Sequence, residues 1–309
     1  MRGSLGWLTL AGACVFALTA LGFLASNLWV AELASSVRFQ LTAVALVGMV
    51  VGALRGNPVA TVLAFAAIIG NVVVVGPHLR GEAGVPSTTD RLRIGHVNLQ
   101  ERDLDEGALR VALRARMPDV FFVLEPPAGW AKTHRTFAGY RVVTDGSPKV
   151  SALALVRSDV RAGRPRVDGL PGGALAVETM FAGVPTWILA LHAHSPLTPR
   201  FLGKRDRALD AAARLAASRN GRRIVLGDFN AVPWSPVVAR FVRESGLASS
   251  ATASGLQASW PWFLWRLGVA IDQLFHSHDL VVAERSLGPS LGSTHRSLWI
   301  ELAPGGSAR

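Results

Sequence analysis

The distribution of charge along the chain constrains its fold more than any motif does. Residues 1–78 hold Arg2, Glu32, Arg38 and Arg55 as their only Asp, Glu, Lys or Arg residues, and the stretches between are mostly apolar. Leu5 to Ala31 carries no charge and is long enough to cross a bilayer. Phe39 to Leu54 reaches about 24 Å at about 1.5 Å per residue, short of a hydrocarbon core of roughly 30 Å. Arg38 and Arg55 at its ends can snorkel to close that gap. Pro58 to Val75 begins at a proline suited to a first helical turn and stops at Gly76-Pro77. One such run reads as a buried helix; three in succession with short polar joints read as three transmembrane helices. A cleaved signal peptide ending near Ala17 to Ala20 accounts for the first run and leaves the other two unexplained.

The expected organisation is therefore an anchor over 1–80, touching the bilayer through residues 5–75, and a linker over 81–91. A folded domain over 92–303 and a disordered tail over 304–309 follow. The small, turn-forming residues Gly81 to Asp90 mark the linker. This describes a multi-pass protein of the cell membrane. Arg2 and Arg55 oppose Glu32, Arg38, Arg80, Arg91 and Arg93, a count that does not orient the helices. Folded domains translocate largely regardless of charge, and the expectation is an extracytoplasmic domain.

Cys14 is the single cysteine, which excludes an intramolecular disulfide framework and a thiolate zinc cluster. In its apolar run it reads as a small buried hydrophobe. Most of the formal charge of +11 lies beyond residue 80. Such a surface attracts polyanions, whether nucleic acid, phospholipid headgroups or phosphorylated small molecules. No dense Lys/Arg block sharpens that choice, and no feature points to a protein partner.

From Leu92 onward short apolar runs alternate with helical patterns. Strands are expected at Leu92–Leu99, Val120–Leu124, Arg141–Val143, Ser151–Val156, Ala174–Phe181, Thr186–Ala193, Ile224–Leu226, Ala270–Phe275 and Ser297–Leu302. Helices are expected at Leu104–Ala115, Leu202–Ser218 and Ser235–Ser245. In the second of these, Leu202, Leu209, Ala213 and Leu215 form a stripe among exposed Arg205, Arg207, Asp210 and Arg214. Strands outnumber helices and several are joined by Gly/Pro turns, which favours mixed, largely antiparallel sheets.

Polar residues recur where these strands end: Asn98, Glu125, His192 with His194, Asp228 with Asn230, and Asp272. His295 precedes the last strand. In Gly227-Asp228-Phe229-Asn230, residues i and i+2 of a continuing strand share a face, in a space Gly227 keeps open. A carboxylate and a carboxamide so placed suit orienting a water and binding an anionic oxygen. A β-turn with an Asx cap is the plainer alternative.

Val97–Gln100 (VNLQ), Pro118–Pro127 (PDVFFVLEPP), Leu189–Pro196 (LALHAHSP), Val225–Ala231 (VLGDFNA), Ser259–Pro261 (SWP), Ala270–Phe275 (AIDQLF) and Gly292–Leu298 (GSTHRSL) occur in one order. In that order they resemble the endonuclease/exonuclease/phosphatase superfamily, with a deoxyribonuclease-I-like fold, over roughly Leu92 to Leu302. The helices before them resemble its membrane-anchored branch. The resemblance implies a four-layer α/β sandwich of two mixed, largely antiparallel sheets flanked by helices. It also implies a divalent-metal-dependent phosphoesterase in which water attacks a phosphodiester or phosphomonoester directly. Glu125, with Asn98 beside it, matches the metal site, taking Mg²⁺ with Mn²⁺ as the alternative. Asp228 matches the residue that positions or deprotonates the water, and Asn230 the donor to a phosphate oxygen. His192, or His194, matches the first histidine, His295 the second, and Asp272 the acid orienting it. Two positions depart from the pattern: Thr294 stands where an aspartate is usual, and Gln273 where histidine is common. The loss of a charge at Thr294 leaves a second expectation, a catalytically weak or inactive binding protein of the same fold.

Overall fold

The computed structural model describes residues 2–305 apart from Asn27, Arg80, Glu82, Ala83, Pro148, Arg166, Asp168, Gly169, Pro171 and Gly172; side chains of residues 2–5 are not described. Residues 306–309 of the expected tail, and 82 and 83 of the expected linker, lie outside the described residues. The apolar N-terminal runs form helices α1 (Arg2–Leu21), α2 (Trp29–Ser36), α3 (Arg38–Leu54) and α4 (Pro58–Val75). Asn57 caps α4 by accepting the Ala60 N–H at 3.0 Å, with Pro58 in the first turn.

Four points in this region differ from or refine the expectation. Two stretches, Gly6–Leu24 and Pro58–His78, are long and apolar enough to span a membrane; a third exists only if α2 and α3, bent by 64°, count as one span. The first run does not continue as one helix to Ala31, because the chain turns before α2 and directs Glu32 to Arg205. Arg38 does not snorkel. It turns inward, donates from Nη1 to Asn71 Oδ1 at 2.9 Å and lies 4.3 Å from the centre of the Phe23 ring. Cys14 is exposed on α1 and not buried.

Beyond the helices, thirteen strands form two sheets among the described residues. The first has seven strands in the order β12 (Leu280–Leu287), β13 (Leu298–Pro304), β1 (Leu92–Asn98), β2 (Val120–Leu124), β5 (Ala152–Arg157), β4 (Tyr140–Thr144), β3 (Thr136–Phe137). The second has six: β10 (Ala248–Ser249), β11 (Asp272–His276), β9 (Arg222–Asp228), β8 (Val184–His192), β7 (Ala174–Phe181), β6 (Ala162–Gly163). Each sheet holds one parallel pair, β1–β2 and β8–β9, and the other pairs are antiparallel. A helix bridges each parallel pair, as a parallel crossover requires. These are α5 (Glu106–Arg116), capped by Asp105, and α7 (Pro199–Ala217), capped by Thr198; the short α6 (Trp130–Thr133) lies between them in sequence.

Burial follows the two-residue period of the strands. Ile94, Phe122, Ala154, Ile188, Leu226 and Leu274 meet between the sheets. The alternate residues face outward, where Leu109 and Leu113 of α5 cover one sheet. Leu209 and Ala213 of α7, with Phe241 of α8 (Pro236–Ser245), cover the other. The result is helix, sheet, sheet, helix. Strand β12 was not expected: its Glu284-Arg285-Ser286 centre breaks the apolar alternation, and a bulge lies between Val282 and Glu284. Pro304 pairs within β13 and Gly305 bridges Pro86.

Arg205, expected on the exposed side of α7, is buried at 1 % exposure. Its Nη1 lies 2.8 Å from Glu32 Oε1, which also accepts the Ser235 hydroxyl at 2.6 Å. Trp234 Nε1 donates to Ser35 O at 2.8 Å. The N-terminal helices are thus docked on the sandwich through a buried ion pair.

Candidate active site

Strand register assembles the site. His192 pairs with Asp228 across β8–β9, and Asp228 with Asp272 across β9–β11. Partners in register point to the same side of a sheet, so these three side chains form a row. The same alternation that buries Ala190, Leu226 and Leu274 between the sheets aims them at the rim of that core. From the facing sheet Asn98 closes β1 and Glu125 follows β2. The site therefore sits at the carboxyl ends of both parallel pairs.

Asn98 Nδ2 donates to Asp228 Oδ2 at 2.9 Å, linking the sheets. Asp228 Oδ1 accepts the Asn230 N–H at 2.9 Å, holding a left-handed turn with φ +46° at Asn230. Asn230 Nδ2 donates to Ala193 O at 2.8 Å and stands 3.5 Å from His192 Nε2. Gly227 has a reason other than the expected one. A Cβ there would lie 1.9 Å from Leu191 O, and φ is +138°, so the glycine allows β9 to press against β8 and does not hold the site open.

His295 Nδ1 lies 2.9 Å from Asp272 Oδ2, and its Nε2 lies 3.7 Å from Asp228 Oδ2. His192 Nδ1 lies 3.2 Å from Glu125 Oε1, with Nε2 3.8 Å from Asp228 Oδ2. The longer distances exceed hydrogen-bond range, so both Nε2 atoms face a gap beside Asp228. His194 instead packs against Phe201, ring centres 5.7 Å apart. The geometry brings together Asn98, Glu125, His192, Asp228, Asn230, Asp272 and His295, and leaves His194 at the cleft wall.

Burial lowers His295, but the charges of Asp272 and Asp228 overcome it and push the pKa up to about 9. Burial opposes the cation at His192 too, and Glu125 and Asp228 still raise it. Burial favours a neutral Glu125, yet the hydrogen bonds from His192 and Asn98 hold it below the ordinary carboxylate value. Asp228 is raised, chiefly by burial. A cationic His295 and a His192 biased towards the cation thus face a carboxylate whose burial favours taking up a proton.

Thr294 is pinned by two neighbours: its hydroxyl donates to Gln100 Oε1 and accepts from Trp260 Nε1 at 3.0 Å. Gln273 lies buried beneath the Asn230 turn and donates to Ala231 O at 3.2 Å. Sequence reasoning missed His96 and Arg285. His96 is fully buried 3.8 Å from Asp272 Oδ1, its pKa lowered to about 4 by burial. Arg285 Nη2 reaches Asp272 O at 3.4 Å. His96 lies two residues before Asn98 on the same face of β1, a signal present in the sequence; Arg285 sits on the unexpected strand.

A profile of the Endonuclease/Exonuclease/phosphatase family matches residues 95–295. The chain belongs to that family. Humanized TDP2 of D. rerio superposes with TM-score 0.57 at 14 % identity, covering 69 % of this chain and 98 % of that one. D. rerio TDP2 complexed with single strand DNA product gives 0.55 at 14 %, with the same coverage. The endonuclease domain of TRAS1, a telomere-specific non-LTR retrotransposon, gives 0.52 at 16 %, covering 69 % and 99 %. At these identities the likeness is one of fold. No curated protein matches the sequence.

Proposed function

We propose that the protein is a membrane-anchored, divalent-metal-dependent phosphoesterase, with an anchor over 1–80, a linker over 81–91 and a catalytic domain over 92–303. The observation that carries this reading is the row His192–Asp228–Asp272, met from the facing sheet by Asn98 and Glu125 and completed by His295. Asp228 accepts the proton of the attacking water. His192 and His295 donate from Nε2 to oxygens of the phosphoryl group, whose charge grows as water adds. Asp272 fixes the orientation of the His295 ring and keeps it cationic. Asn230 contributes a further donor. Water attacks phosphorus, the bond to the leaving oxygen breaks, and no covalent enzyme intermediate forms.

The donor set supports a hard cation. Around the cleft floor stand Glu125, Asn98, Gln100 and Thr294, which offer oxygen. Among the described residues no group of three or more His, Cys, Asp or Glu forms a cage. Mg²⁺ does not need one, since it keeps several waters and takes one or two carboxylates plus substrate phosphate. Glu125 and Asn98 would hold it, with Mn²⁺ as the alternative. Bound there, the ion would neutralise phosphoryl charge and stabilise the leaving oxygen.

The phosphoester is a nucleic acid or a lipid or inositol-phosphate headgroup; the DNA bound by D. rerio TDP2 supports the first. Thr294 favours the second reading, a weak or inactive binding protein. In the full-length protein, Asp228→Ala or His295→Ala is expected to abolish Mg²⁺-dependent, EDTA-sensitive cleavage of bis(4-nitrophenyl) phosphate. Unchanged turnover in both variants sinks the assignment. Calorimetric titration with Mg²⁺ separates the second reading, for which no heat above background is expected.

A further inference from the structure

The cleft that holds the polar row encloses about 1150 Å³. Part of its lining has no use in phosphoryl chemistry. Leu33 within α2 and Val37 at the bend between α2 and α3 line it together with Leu197, Phe201 and Trp260. Val37, Leu197, Phe201 and Trp260 are between 37 and 64 % exposed. Proteins that track a nucleic-acid backbone line the path with Lys and Arg. Among the described cleft residues that role falls to Lys149 alone, and Lys149 is paired with Glu101 at 2.6 Å.

A second observation lies directly after Trp260. Trp262, Phe263, Leu264, Trp265 and Leu267 are each 46 to 65 % exposed, five large apolar side chains in six residues. Gln40 Nε2, in the first turn of α3, donates to Leu267 O and Gly268 O, both at 2.8 Å. The segment is therefore held against the end of α3, whose exposed Val44 and Val47 continue the apolar surface along that helix. Tryptophans beside an arginine are suited to the headgroup depth of a bilayer, and Arg266 lies 5.1 Å from the centre of the Trp265 ring.

We infer that the substrate is an amphiphile of the bilayer. Its hydrocarbon part lies along Leu33, Val37, Leu197 and Phe201, and its phosphoester reaches His192, Asp228 and His295. Trp262–Leu267 sits in the headgroup layer at the mouth. This rests on the phosphoesterase reading above. In the reaction, water oxygen bonds to phosphorus, the P–O bond to the leaving group breaks, and the leaving oxygen departs as alkoxide or phenolate to be protonated according to its pKa.

The test uses the full chain in phosphatidylcholine nanodiscs with Mg²⁺. Methyl 4-nitrophenyl phosphate and hexadecyl 4-nitrophenyl phosphate share one scissile group and differ only in the tail, and a single-stranded oligonucleotide forms the third arm. The expected kcat/KM for the hexadecyl ester exceeds that for the methyl ester by about tenfold or more, because the tail is buried. That ratio should fall several-fold in Phe263→Ser and in Val37→Gln, which alter separate parts of the surface. Equal values for the two esters, a ratio unmoved in both variants, or a preference for the oligonucleotide overturns the inference and leaves the phosphoesterase reading standing. Loss of hydrolysis in all three arms overturns both.

Discussion

His295 concentrates the electrostatics of the site in one side chain. Its pKa of about 9 against an ordinary 6.5 means that the folded state holds a proton the unfolded chain releases in between. The stabilisation is complete below about 6.5, declines as pH rises towards 9 and is gone above it, amounting to roughly 3 kcal/mol. Denaturation midpoints should therefore fall between pH 6 and pH 9.5, and Asp272→Asn should flatten that fall. A pH profile identical to that of the unaltered protein would contradict the pairing. Thr294 makes the other prediction at this scale. With Trp260 Nε1 already directed at position 294, Thr294→Asp keeps an acceptor for the indole and adds a charge beside Gln100, which lines the cleft with Glu125. The Mg²⁺ concentration for half-maximal activity should drop several-fold; an unmoved value separates Thr294 from the metal.

Among the elements, α2 and α7 depend on each other through Glu32, Arg205 and Ser235. Without Glu32, buried Arg205 keeps only Asp206 as a carboxylate partner, at 2.9 Å, which costs part of the roughly 3 kcal/mol or more of a broken buried pair. Arg205 also reaches Asn230 O at 3.2 Å, so the pair extends to the turn that carries a candidate catalytic amide. Glu32→Ala should lower the denaturation midpoint of the full chain by several degrees and reduce activity. Glu32→Ala combined with Arg205→Met should recover most of the stability, since an apolar pair avoids the desolvation cost. Equal midpoints for the single variant and the unaltered protein would remove the pair from the list of stabilising contacts.

For the whole molecule, α2 and its bend into α3 place Leu33 and Val37 of the N-terminal helices in the wall of the candidate catalytic cleft. Under the proposed reading, these helices shape the cleft as well as tether the domain. The full chain should sediment with membranes and resist an alkaline wash, and deletion of residues 1–80 should release it. A deleted form that stays in the washed pellet argues against the anchor. The expected extracytoplasmic side is checked by a C-terminal reporter active only outside the cytoplasm.

The sequence by itself carried nine of the thirteen described strands, the polar residues at their ends and the apolar N-terminus, because alternation and helical runs are local signals. Gly227-Asp228-Phe229-Asn230 was legible for that reason. Arg205 was not: on its own helix it belongs to a solvated face, and its burial is made tolerable by Glu32, far away in sequence, together with Asp206 beside it. Arg285 escaped for the same reason, being defined by its approach to Asp272, whereas His96 shares the face of Asn98 on β1 and was legible but passed over. Gly227 was found but misread, because the carbonyl it makes room for belongs to the neighbouring strand. Residue type and period determine which side chains arrive at a strand's end. Which charges pair there, and how far the N-terminal helices reach into the cleft, follow from packing between segments that sequence order keeps apart.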